Sequence, residues 1–218
     1  VLSKQEGATT TVAFAYTIWE DTDITNYLAG GYWAKVEDDE VTELGTFGDA
    51  GTGSVFGYRD DQASSWERPT TGTATYHGEA EGAYVDEGDG GIWWSPLLLT
   101  ADFATSSISG CIGCRAADPQ LRGIYTYTTL EDLKSDQPTR EDLYVELRSG
   151  SVSNDGSFEG TLGLFELSSG TELTSSGRWG GFFSENDSTS AHPSQVAGTL
   201  GGTAEDTGFV GIFQGRSR

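Results

Sequence analysis

Apolar side chains along most of this sequence recur at every second residue and almost nowhere at every 3.6, a pattern that confines the chain to β-structure. Val12, Phe14, Tyr16 and Ile18 alternate with Ala13, Ala15 and Thr17. Successive strand side chains point to opposite faces, so this run reads as a half-buried strand. A second strand is expected from Tyr27 to Val36, and Gly45 to Tyr58 reads as a strand-and-turn region broken by glycine. Gly and polar residues dominate from Arg59 to Gly72, where Pro69-Thr-Thr-Gly reads as a boundary. The expected division is a smaller β-rich unit over residues 1–70 and a larger one over 71–218.

Beyond the boundary lie eight strand candidates: Ala74–Val85, Leu97–Phe103, Ser107–Ile112, Tyr144–Ser151, Ser157–Phe165, Arg178–Phe183, Val196–Ala204 and Gly208–Gln214. Asn154-Asp-Gly, Ser168-Ser-Gly and Glu205-Asp-Thr-Gly carry turn chemistry between them. Glycine also sits inside strands, at Gly78, Gly82, Gly160, Gly163, Gly180, Gly181, Gly198 and Gly201, where it suits the tight curvature of a barrel. Eight strands is a number at which side chains fill a closed barrel. Thr129-Leu-Glu-Asp and Thr139-Arg-Glu-Asp resemble helix starts, so one or two short helical turns are expected between the third and fourth barrel strands. The fold class expected is therefore all-β, an eight-stranded antiparallel up-and-down barrel preceded by a smaller β-rich domain. A membrane-spanning barrel fits less well, because many strands place Gly, Ser, Thr and charge on both faces and the chain closes on Gln-Gly-Arg-Ser-Arg.

Charge narrows the function classes. Twelve Lys and Arg stand against 34 Asp and Glu, a formal net charge of −22, and no basic stripe is present to hold a phosphate backbone. Nucleic acid and anionic membrane surfaces are poor partners for such a chain. No apolar run reaches transmembrane length; the longest, Ile92 to Leu99, is strand-sized. The start at Val1 and the absence of Met read as a processed product. Cys111-Ile-Gly-Cys114 lacks the following His of a haem-attachment motif, and a local disulfide is the preferred reading for an exported protein.

No catalytic constellation stands out. There is no Gly-x-Ser-x-Gly elbow beside His77 or His192, and no acidic pair is set apart from the many surface acids. Glu20-Asp-Thr-Asp, Glu37-Asp-Asp-Glu and Asp86-Glu-Gly-Asp-Gly offer oxygen ligands to Ca²⁺, but none has EF-hand spacing. Haem would have to use His77, His192 or a Tyr. No cofactor is expected as a fixed component, with haem and Ca²⁺ kept as candidates. More informative are Tyr32-Trp33 and Trp93-Trp94, because adjacent strand residues send one ring of each pair outward. The junction of the two units, or a protein partner, would cover it. With Trp19, these residues are the expected ligand-binding or interface set.

The segment Thr73-Ala-Thr-Tyr-His-Gly-Glu-Ala-Glu-Gly-Ala-Tyr, followed by Leu99-Thr-Ala-Asp-Phe, Ser107-Ile-Ser-Gly, Phe158-Glu-Gly and Trp179-Gly-Gly-Phe-Phe, resembles the barrel domain of the transferrin-binding protein B family. Gln195-Val-Ala-Gly-Thr-Leu-Gly-Gly and Phe209-Val-Gly-Ile-Phe-Gln-Gly-Arg resemble its last hairpin, and Tyr27-Leu-Ala-Gly-Gly-Tyr-Trp and Val41-Thr-Glu-Leu-Gly-Thr-Phe resemble the segment preceding such barrels. The resemblance implies a handle domain before the barrel, in a single unit where the transferrin receptor has two lobes. It also implies export to the extracellular or outer-membrane surface of a Gram-negative bacterium, with a lipid anchor not visible in this chain. The function it implies is non-enzymatic binding of a protein or a haem or iron ligand. The alternative expectation is a structural or assembly subunit that associates with itself or with a larger complex.

Overall fold

The computed structural model describes residues 2–6, 9–20, 23–37, 40–46 and 58–59, and then 68–217 apart from 87–88, 128–131, 133–134, 174, 185–190 and 205–206. Side chains are described from Arg68 onward. The first part forms an antiparallel sheet of β1 (Leu2–Glu6), β2 (Thr9–Glu20), β3 (Asp23–Glu37), β4 (Glu40–Thr46) and β5 (Tyr58–Arg59), with β3 paired to β2, β4 and β5. The expected strands from Val12 and Tyr27 thus fall inside β2 and β3, while residues 47–57 lie outside the described residues.

The second part is a closed antiparallel barrel. β6 (Thr73–Asp86), β7 (Asp89–Asp102), β8 (Ser107–Ile112), β11 (Leu143–Val152), β12 (Ser157–Glu166), β13 (Ser175–Phe183), β14 (Gln195–Ala204) and β15 (Thr207–Ser217) pair in that order, and β15 pairs back onto β6. All eight expected strands are present. β7 starts earlier than expected, at Asp89, because it pairs with β6 as far as Asp86 and, at Ile92–Trp94, gains a further strand on its other edge.

That further strand is β9 (Ile124–Tyr127), which pairs with Ile92–Trp94 of β7 and in turn with β10 (Thr139–Glu141). β8 and β9 lie along the same edge of β7, β8 against Leu97–Asp102 and β9 against Ile92–Trp94. Residues 114–122 leave the wall between them, and Gly123 N–H donates to the Gly113 carbonyl at 2.7 Å to close the neck. Asp132 and Ser135 are helical, but the second expected helix start, Thr139-Arg-Glu-Asp, is strand. The free edge of β9 outweighs the local capping pattern there, because it supplies backbone partners that a single turn cannot.

Inward positions carry the core. Tyr76, Leu97, Leu99, Phe103, Ile112, Leu147, Trp179, Phe183 and Leu200 are buried, and Phe158 lies 5.6 Å from Trp179 and 5.1 Å from Phe183 between ring centroids. Outward positions include exposed Glu79, Glu81, Glu159, Thr161 and Arg178. Apolar inside and polar outside is the reverse of a water-filled membrane barrel. Two strand glycines are spacers for rings: a Cβ at Gly82 would stand 2.8 Å from Trp93 Cε2, and one at Gly198 would stand 2.5 Å from Phe213 Cζ. The turn glycines differ in kind. Gly156 and Gly170 hold φ of 82° and 69°, the left-handed region expected of the Asn154-Asp-Gly and Ser168-Ser-Gly turns.

One stretch of the outer wall is also buried. Ala83, Ala197, Thr199, Val210 and Ile212 point away from the interior, yet all are buried where β3 and β4 approach β6, β7, β14 and β15.

Candidate functional site

The two ends of the barrel differ. At one end Tyr76 donates its hydroxyl to the Pro193 carbonyl at 3.0 Å, and His192 stacks on Phe103 with centroids 5.3 Å apart. Burial pushes the Tyr76 phenol far above its ordinary range. This end is capped, and the rings beneath it are fully buried.

At the other end the barrel opens into a cleft of about 250 Å³. Trp93, Ile124, Leu143, Val145, Leu164 and Phe209 line it, together with Tyr84, Thr126, Thr207, Asp86 and Glu141. Ile124, Leu164 and Phe209 each keep 8% exposure here, against 0% for Leu99 and Phe183 nearer the cap. Trp93 lies across the interior positions of Gly82 and Gly211 with its indole N–H donating to the Val210 carbonyl at 3.1 Å. Its ring is thereby fixed in orientation as one wall of the cleft.

Two carboxylates stand in this lining, and no Lys, Arg or His does. Asp86, the last residue of β6, accepts from the Thr207 hydroxyl at 2.9 Å across the β6–β15 pair. Glu141, the last residue of β10, accepts from the Thr126 hydroxyl at 3.1 Å. Neither has an ion-pair partner among the described residues. The cleft can therefore receive an apolar group and hold positive charge at its rim.

Trp93 and Trp94 divide as adjacent strand residues must. Trp94 lies on the outer wall, donates to Glu79 at 3.2 Å and meets Tyr125 at 5.5 Å between centroids. Beside it Glu81 has its carboxyl pushed above the ordinary range, first by partial desolvation and then by Glu79. The side chains of Trp19, Tyr32 and Trp33 lie outside the described residues, although the backbone register sets Tyr32 opposite Phe14 and Thr46, and Trp33 opposite Ala13 and Gly45. Cys111 and Cys114 form a disulfide with Cα atoms 5.8 Å apart at the base of the excursion from the wall. Among the described residues no three of His, Cys, Asp and Glu come together as a metal site. The acidic clusters from Glu20 and Glu37 lie outside the described side chains.

Sequence reasoning missed Tyr84, Glu141 and Phe209 as site residues, and named Asp86 only within an acidic cluster offered to Ca²⁺. Tyr84, Asp86 and Phe209 lie near strand ends, but their convergence needs the closure of β15 on β6. Glu141 was hidden in a stretch read as helical.

No protein-family model matches the chain, and no curated protein matches it. Among solved structures it is similar to intact Ap-TbpB with its N and C lobes, at 12% identity and a TM-score of 0.48, over 99% of this chain and 37% of that one. It is also similar to a tryptophan-to-alanine mutant of the vaccine antigen transferrin binding protein B from Haemophilus parasuis Hp5. There the identity is 11% and the TM-score 0.44, over 94% of this chain and 37% of that one. A third, described as a surface lipoprotein, is similar at 11% identity and a TM-score of 0.40, over 94% of this chain and 81% of that one. The chain thus spans little more than a third of the length of the first two.

Proposed function

We propose that this chain is an exported binding protein without catalytic chemistry, displayed at a Gram-negative cell surface, whose barrel mouth takes part in holding a protein ligand. The observation that carries the reading is the asymmetry of the barrel. One end is capped by Tyr76, Phe103 and His192, and the other is an apolar cleft left open to solvent. Exposing apolar lining in an otherwise filled barrel costs burial that a binding partner would restore. The ordered sequence motifs support the same reading, with residues 1–70 as handle and 71–218 as barrel. Haem or an iron species is the second ligand class that the resemblance implies, and it would be held by loops outside the cleft. A lipid anchor not visible in this chain completes the proposal.

Affinity capture from host fluids with the whole chain as bait, followed by sedimentation of the eluate, tests it. The expected result is a defined heterocomplex that a cleft-blocking Thr126→Trp substitution weakens. Self-association of the chain into a defined polymer with no ligand bound would establish an assembly subunit instead.

A further inference from the structure

We infer that the barrel mouth recognises a basic loop of a partner protein, seating one aromatic or aliphatic side chain in the cleft with Lys or Arg side chains on the rim. The inference rests on the reading of the chain as a binding protein and names the chemistry its mouth selects. Three features lead to it.

The first is size. At about 250 Å³ the cleft falls below the roughly 300–1,000 Å³ of sites that engulf a whole small ligand, and it is open on one side. It accommodates one large side chain whose backbone stays outside. Trp93 presents its ring to that side chain in a fixed orientation, held by the Val210 carbonyl, so little ordering is needed when an apolar group arrives.

The second is charge. The lining holds Asp86 and Glu141 and no cation, and neither carboxylate is ion-paired among the described residues. Each accepts a threonine hydroxyl, which orients it and leaves its charge uncompensated. In a chain of net charge −22 the same field attracts a basic partner from a distance.

The third is spacing. Asp86 ends β6 and Glu141 ends β10, with β7 and β9 between them. Three strand spacings, about 14 Å, separate them across the sheet, and the pairing register offsets them further along the strands, so the two carboxylates stand at different points of the rim. A small organic cation reaches one of them. An extended segment of the form Lys-apolar-Lys carries a cation on each side of the inserted side chain, and the long stems of the two Lys can fold back to the rim.

Isothermal titration of the whole chain with capped tripeptides tests this. N-acetylated, C-amidated Lys-Phe-Lys is expected to bind saturably in the millimolar range, while Glu-Phe-Glu and Lys-Ala-Lys are expected to bind at least about tenfold more weakly. Asp86→Asn and Glu141→Gln, both conservative changes at the wet rim, should each weaken Lys-Phe-Lys by about threefold and together by about tenfold. Binding of Lys-Phe-Lys unaffected by the double substitution would overturn the inference. So would phenethylammonium binding as tightly as the peptide, since that would make the mouth a small-molecule site. A protein ligand captured equally well by wild type and the double variant would leave the binding-protein reading standing and remove the mouth from it.

Discussion

Trp93 donates its indole N–H to the Val210 carbonyl at 3.1 Å, across a pair of interior glycines that leave the ring its space. A Cβ at Gly82 would stand 2.8 Å from Trp93 Cε2, and one at Gly211 would come closer still to Cζ2. The wall of the candidate site is thus set by residues with no side chains. Gly211→Ala should displace the indole and cost about 1–3 kcal/mol by overpacking. Urea unfolding would measure the loss, and near-ultraviolet circular dichroism would report a changed tryptophan environment.

The two adjacent tryptophans should respond very differently to truncation. Trp93→Ala removes a buried ring and its hydrogen bond, at a cost of about 3–5 kcal/mol. Trp94→Ala removes a half-buried outer ring bonded to Glu79, and should cost under about 1.5 kcal/mol. Equal losses in denaturant titrations would contradict the alternation assigned to β7.

The capped end carries an alkaline signature. The folded protein holds the Tyr76 phenol well above its unfolded value through burial, so the stability this group contributes is full below pH 10 and is lost as pH rises further. Spectrophotometric titration should leave one of nine tyrosines un-ionised until the barrel unfolds. Tyr76→Phe should abolish that delayed step and cost about 0.5–1.5 kcal/mol through the lost bond to Pro193.

Glu81 has a consequence of the same sign at lower pH. Its folded value is raised by partial desolvation and by Glu79, so the fold favours its protonated form. The associated stability is full below the ordinary glutamate range and is lost as pH rises through the raised value. Glu81→Gln should therefore stabilise the protein at pH 7 by less than ~1 kcal/mol and leave stability at acid pH nearly unchanged. Thermal melts at low ionic strength would show it. Added salt should shrink the difference, because it screens the repulsion from Glu79.

The strands were legible in the sequence because their period is local. Alternation in Ala74–Val85 and Val196–Ala204, and the glycine turns at Gly156 and Gly170, need nothing beyond neighbouring residues. What escaped was set by distant partners. β9 and β10 are short and gain their identity from the edge of β7, so Thr139-Arg-Glu-Asp carried a helix-start pattern into a strand. The glycines suggested curvature, whereas Gly82 and Gly198 also make room for Trp93 and Phe213. The candidate site was only partly legible: Trp93 was marked by its aromatic pair, but the charge facing it comes from Asp86 and Glu141, which share the cleft only through the pairing of β6, β7, β9 and β10.

The most direct measurement is a titration of ¹⁵N-labelled protein with capped Lys-Phe-Lys, following the indole N–H signals of Trp93 and Trp94. An occupied mouth predicts a saturable shift at Trp93, with Trp94 on the outer wall unmoved, and loss of that shift in the Asp86→Asn, Glu141→Gln double variant. A shift at Trp94 with Trp93 unchanged would contradict it.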